Sequence, residues 1–215
     1  MSNKKFPRIY SLSTVGIRNH YNSDYRFHPF RTDFAGDSGV GKSIIADVLQ
    51  LILVGEREFK SATDSSSERE ARKLIIERYG YVFLNIAIDT DKFIVIGMYI
   101  STTSIDPFII QANIGLDVFE PLSSPLISKD FMLGDEIIDI TNLPERMKEN
   151  KGSVVILGGL SLVNSLHAYT FASLKRKKLI STTPLNDALS ALILALNASA
   201  AAFVLLFTKK FRILS

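Results

Sequence analysis

The chain has 215 residues, a formal net charge of +3 and 47% apolar residues, enough for one substantial core and too apolar for wholesale disorder. It has no cysteine, which excludes disulfides, thiolate metal sites and cysteine catalysis. Its histidines, His20, His28 and His167, lack the spacing of a zinc site, and so small a charge does not by itself announce nucleic-acid binding.

Met-Ser-Asn-Lys-Lys at the N-terminus is polar and offers no signal-peptide core, so a cytoplasmic protein is expected. Residues 7–16 predict a first strand, carrying Ile9, Leu12 and Val15 among polar neighbours. Residues 24–34, with Tyr25, Phe27, Phe30 and Phe34, predict a second strand that feeds a glycine-rich loop. That loop, Gly36-Asp37-Ser38-Gly39-Val40-Gly41-Lys42-Ser43, fits the phosphate-binding pattern G-x-x-x-x-G-K-[ST] at every fixed position. A helix is expected over residues 42–54, where Ile44, Ile45, Val48, Leu49, Ile52 and Leu53 make a broad apolar face and Gly55 supplies a stop.

Strand, loop and helix in this order have a chemical consequence. Glycines let successive backbone N–H groups converge on phosphate oxygens, and the helix N-terminus adds partial positive charge. All eight residues from Gly36 to Ser43 are thus candidate nucleotide-binding residues. Lys42 is the candidate catalytic cation, reaching the β/γ-phosphates, and the Ser43 hydroxyl is a candidate Mg²⁺ ligand.

Residues 56–67 are polar and turn-like, and residues 68–78 predict a short charged helix that ends at Gly80. The clearest β signal follows, in two Val/Ile/Phe/Tyr-rich runs at 81–89 and 93–100 around Thr90-Asp91-Lys92, which predict a hairpin. Residues 107–114 predict a third strand. Irregular sequence broken by Pro121, Pro125 and Pro144 runs from 116 to 151. Beyond it lie an apolar run at 154–159 and helical patterns at 160–178 and after Pro184. Residues 188–207 carry no charge and have the length of a membrane span, but Ser190, Asn197, Ser199 and many alanines favour a buried helix, and the flanking basic clusters define no cytoplasmic side. Membrane insertion is therefore not expected.

The octapeptide also resembles the first motif of Ras- and Rab-type small GTPases, but neither Asp-x-x-Gly nor Asn-Lys-x-Asp follows; Asn150-Lys151-Gly152-Ser153 lacks the carboxylate. More of the chain, roughly residues 7–114, resembles the N-terminal half-head of SMC-type and RecF/RecN-like ATPases, the ABC-class ATPases of chromosome maintenance, DNA repair and anti-phage or anti-plasmid defence. The residues that carry it are Ile9-Tyr-Ser-Leu12, Gly16-Ile-Arg-Asn19, Tyr25-Arg-Phe27, the loop, and Leu49-Gln-Leu-Ile-Leu-Val-Gly55. The resemblance implies an α/β P-loop NTPase lobe (residues 1–150) with an antiparallel β-hairpin, followed by a helical C-terminal part (residues 151–215). It further implies ATP and Mg²⁺ as cofactors, and Gln111 as a Mg²⁺-sensing glutamine beside a plainer reading as a polar strand end.

Ser38 replaces the family's usual Asn. The Walker B Asp-Glu and the Ser-Gly-Gly signature are missing, so hydrolysis is expected to need a second head or a C-terminal lobe that supplies them. Asp89, at the end of an apolar run, is followed by Thr90 instead of Glu and suits a hairpin turn better. Leu157-Gly-Gly-Leu-Ser161 has signature-like letters in the wrong order. DNA is a candidate partner through Lys60, Arg69, Arg72 and Lys73 or through Lys175-Arg176-Lys177-Lys178, although a solvated face is the default reading for both sets. The alternative to the half-head reading is a stand-alone P-loop NTPase or a small-GTPase-like protein.

Overall fold

The structure is a computed structural model that describes residues 6–56, 59, 70–115, 118–149 and 152–156. Strand β1 (Arg8–Ile17) turns at Arg18 and Asn19 into β2 (His20–Arg26). An irregular stretch leads to helix α1 (Lys42–Val54), and a 3₁₀ turn at Ala71–Leu74 precedes β3 (Tyr79–Asp89), β4 (Lys92–Ser101) and β5 (Ile105–Gln111). The short strands β6 (Asn113–Gly115) and β7 (Val118–Glu120) pair with each other. So do β8 (Met132–Leu133) and β9 (Glu136–Ile137), which follow a 3₁₀ turn at Ser128–Phe131. Helix α2 (Leu143–Glu149) and β10 (Ser153–Ile156) come last.

One six-stranded sheet in the order β10-β5-β4-β3-β1-β2 organises these elements, and each neighbouring pair is antiparallel. The expected helix-rich α/β P-loop NTPase lobe is therefore corrected: the described residues are mostly antiparallel β-sheet with two helices, of 13 and seven residues. Hairpins explain the difference. Short turns join β1 to β2, β3 to β4 and β4 to β5, and such turns can only reverse the chain. Among the described residues, a helical crossover runs from β2 through α1 to β3, which flank β1 on either side and so point the same way. The sheet also extends past residue 150, because β10 pairs with β5 from Ser153↔Gln111 to Ile156↔Phe108. The helical patterns after residue 157, the charge-free stretch 188–207 and the basic run at 175–178 lie outside the described residues.

Alternation along β3 and β4 divides the core in two. Val82, Leu84, Ile86 and Ile88 with Ile94, Ile96, Met98 and Ile100 face α1, where Ile45, Val48, Leu49 and Ile52 are buried. Tyr81, Phe83, Phe93, Val95 and Tyr99 face the opposite way, under a cover of Leu122, Leu126, Phe131, Ile140, Leu143 and Met147. Gly97 makes room on this second face: a Cβ there would lie 2.6 Å from both Phe108 Cζ and Phe83 Cβ. The cover is fastened by polar groups. The Asn85 amide donates to Leu126 O and accepts from Leu126 N–H, both at 2.8 Å, and also donates to Ser11 Oγ at 2.8 Å. Further along, Ser128 N–H and Oγ–H donate to the Asp24 carboxylate at 2.9 and 2.8 Å.

Two tyrosines of this face make stability pH-dependent. Tyr81 donates its hydroxyl to Ile138 O at 2.6 Å, and Tyr99 donates to Asp139 Oδ2 at 3.2 Å. Burial raises both far above the ordinary value of 10.0, with the Asp139 charge adding to the effect. In the unfolded chain both ionise near that ordinary value, so above it the unfolded state holds fewer protons than the fold. Their contribution is complete below about pH 10 and is lost as pH rises from there. The urea midpoint should accordingly fall steeply between about pH 10 and 11.5, and Tyr81→Phe should flatten that slope.

Candidate functional site

Helix α1 spans Lys42–Val54, and its start is unusual in what it lacks. The N-cap is Gly41, in the left-handed region at φ 96°; it offers no side-chain cap, and the first turn carries no acidic residue. Backbone bonding begins with the Ile44 and Ile45 N–H groups, which donate to Gly41 O at 2.9 and 3.4 Å. The N–H groups of Val40, Gly41, Lys42 and Ser43 have no backbone acceptor among the described residues. Uncapped amides at the positive end of a helix make an anion-binding nest.

The loop closes around Lys42. Its Nζ donates to Gly36 O at 2.5 Å and Asp37 O at 2.7 Å, which draws the first residues of the loop over the helix start. An ammonium has three N–H donors, so one is left for an incoming oxygen. Among the described residues Lys42 has no carboxylate partner. Asp37, Ser38, Gly39 and Val40 are exposed and Ser43 is half-buried, so the nest is reachable from solvent. Gly36 through Ser43 are thus brought together at one end of the sheet.

Gln111 is not brought to them. Ile110, its neighbour, is aligned across β4 and β3 with Ser11 of β1, six residues before the Ile17 end where the loop sits. Six residues correspond to about 20 Å along a strand, and three strand spacings add about 14 Å across the sheet. Gln111 is fully buried at the opposite end, paired with Ser153, and cannot share a Mg²⁺ ion with Ser43 of the same chain. Asp89 lies farther along the sheet still, two residues past Ala87, which aligns with Arg8. It forms the β3–β4 turn, accepting from Thr90 N–H at 2.8 Å and pairing with Lys92 at 3.2 Å. These contacts, the Thr90 bond foremost, lower its pKa.

The approach to the loop also differs from expectation. The strand expected over 24–34 ends at Arg26, and residues 27–41 form no regular element. Support comes instead from the β1–β2 turn. Asn19 Nδ2 donates to Gly39 O at 2.9 Å, and His20 Nε2 lies 2.9 Å from Gly41 O. Asn19 adopts φ 62°, a conformation that asparagine tolerates in two-residue hairpins. That turn chemistry was the one signal in the sequence that could have marked it. Of the basic residues considered for DNA, Lys60 and Arg69 lie outside the described residues, and Arg72 pairs with Glu56 at 3.5 Å.

No group of three or more metal-ligating side chains occurs among the described residues, and no helix among them is long and apolar enough to cross a membrane. No protein-family model matches the chain, and no curated protein matches it.

Proposed function

We propose that the loop Gly36–Ser43 binds the triphosphate of ATP together with Mg²⁺. The observation that carries this reading is Lys42 Nζ, held by Gly36 O and Asp37 O over a helix start whose amides have no backbone acceptor among the described residues. In this arrangement the amides of Asp37 to Lys42 receive phosphate oxygens, Lys42 neutralises charge at the β/γ-phosphates, and Ser43 supplies a hydroxyl ligand. Mg²⁺, held through the Ser43 hydroxyl, would supply positive charge that offsets the triphosphate's.

The reading rests on the loop and not on an α/β architecture, which the antiparallel sheet corrects. The sequence has no Walker B Asp-Glu pair to hold the metal's water, and Asp89, which ends an apolar run, lies at the far end of the sheet. Hydrolysis therefore depends on a second head or lobe that brings a Walker B carboxylate and a signature helix. The resemblance of residues 7–114 to chromosome-maintenance and DNA-repair ATPases makes ATP-gated handling of DNA, in the cytoplasm, the process to which this half-site belongs.

The test is equilibrium titration of the protein with ATP, with and without Mg²⁺. Wild-type protein is expected to bind more tightly with Mg²⁺, and Lys42→Ala to lose on the order of 100-fold, the scale of a charge-assisted hydrogen bond. Unchanged affinity in Lys42→Ala would remove the assignment.

A further inference from the structure

We infer that Asn19 and His20, in the β1–β2 turn, are positioning residues that aim the amides of the phosphate loop. The inference rests on the nucleotide reading above and extends it to residues outside the motif. Its basis is peptide geometry: in a planar trans peptide the C=O and the following N–H point in opposite directions. Gly39 O is held by Asn19 Nδ2 at 2.9 Å, which turns the Val40 N–H away from the β1–β2 turn. Gly41 O is held by His20 Nε2 at 2.9 Å, which does the same for the Lys42 N–H. Two alternate peptides are thereby pinned, and both face their amides into the nest.

The anchor is itself anchored. A carbonyl only accepts, so His20 Nε2 carries the proton, and Nδ1 accepts from the Tyr25 hydroxyl at 2.5 Å. Thr14 Oγ1 donates to His20 O at 2.7 Å, and the His20 side chain is buried. Tyr25 in turn packs edge-on against Phe34, at 5.7 Å between ring centres, on the segment leading into the loop. The loop and the turn are also fitted without slack: a Cβ on Gly41 would lie 2.5 Å from His20 Nε2 and 2.9 Å from Asn19 Cβ.

The experiment compares binding of Mg·ATP and of inorganic tripolyphosphate, which offers phosphates without a base, to the full chain. Asn19→Gly removes the amide yet keeps the backbone at ease at φ 62°. His20→Leu removes both ring contacts, and His20→Gln restores a donor. Asn19→Gly and His20→Leu are each expected to weaken both ligands by the same factor, about three- to tenfold, with His20→Gln recovering most of the loss. As a stability control, Asn85→Ala cuts a buried network on the other face of the sheet and is expected to lower the melting temperature while leaving both affinities unchanged. Wild-type affinities in Asn19→Gly and His20→Leu, alongside lost binding in Lys42→Ala, would overturn the positioning role and leave the nucleotide site standing. A loss confined to ATP, or an equal loss in Asn85→Ala, would overturn it as well. Wild-type protein that binds neither ligand removes the nucleotide reading and this inference together.

Discussion

Gly41→Ala is expected to abolish measurable Mg·ATP binding and to cost about 2–4 kcal/mol of stability, whereas Gly39→Ala, two residues away, should cost about 1–2 kcal/mol. Both glycines have positive φ, 96° and 88°, so both substitutions strain the backbone. Only Gly41 is hemmed in. Its added methyl would meet His20 Nε2 at 2.5 Å and Asn19 Cβ at 2.9 Å, while nothing lies within 4 Å of a Cβ on Gly39. The methyl must push the β1–β2 turn off the loop, breaking the bond to Gly41 O at the same time. That carbonyl also receives the Ile44 and Ile45 N–H groups, where the backbone bonding of α1 begins, so the helix start moves with it. Urea unfolding and ATP titration on the two variants decide the matter. Equal costs at both positions would mean that the turn does not brace the loop.

How much of this was legible beforehand follows from which interactions are local. The phosphate loop and α1 were readable because a motif of fixed spacing ran directly into an apolar helical face, and α1 occupies Lys42–Val54. The β3–β4 hairpin was readable because Thr90, Asp91 and Lys92 separate two β-branched runs, with Asp91 at φ 52° in the turn. Sheet architecture was not. Runs such as Val82–Ile88 are buried on both faces, and that composition is shared by parallel sheets packed between helices. Here the second face is covered by residues 122–147, whose 3₁₀ turn, two-residue strands and short helix leave no period to detect. The edge strand β2 reads longer in the sequence than it is because Phe27, Phe30 and Phe34 add β-favouring aromatic residues after Tyr25, although Pro29 stands among them. As for the site, its motif residues were found and its braces were not. Asn19 and His20 act across 20 and 21 residues of sequence, a separation over which no local pattern operates.

The irregular cover yields the second large effect. Phe131→Ala is expected to destabilise the protein by about 3–5 kcal/mol, while Leu133→Ala, two residues on, should stay within about 0.5 kcal/mol. Phe131 is fully buried at the end of a 3₁₀ turn; Leu133 is 67% exposed. The Phe131 ring stacks on Phe83 at 4.3 Å between centres and lies 5.0 Å from Tyr81 and 6.0 Å from Phe108, so it touches the central strand and a strand two places away. Alanine would leave a cavity bounded by these three rings. The sheet cannot collapse into it, because β3 and β4 are held in register from Tyr79↔Ser101 to Asp89↔Lys92 and packed by α1 on their other side. A melting temperature lowered by roughly 10 °C in Phe131→Ala and unmoved in Leu133→Ala would establish that the cover is integral to the core. Near-equal melting temperatures would mean that it only rests upon the sheet. The phosphate loop lies at the sheet's end, beyond this cluster, so Mg·ATP affinity measured well below the melting transition should be unchanged in both variants.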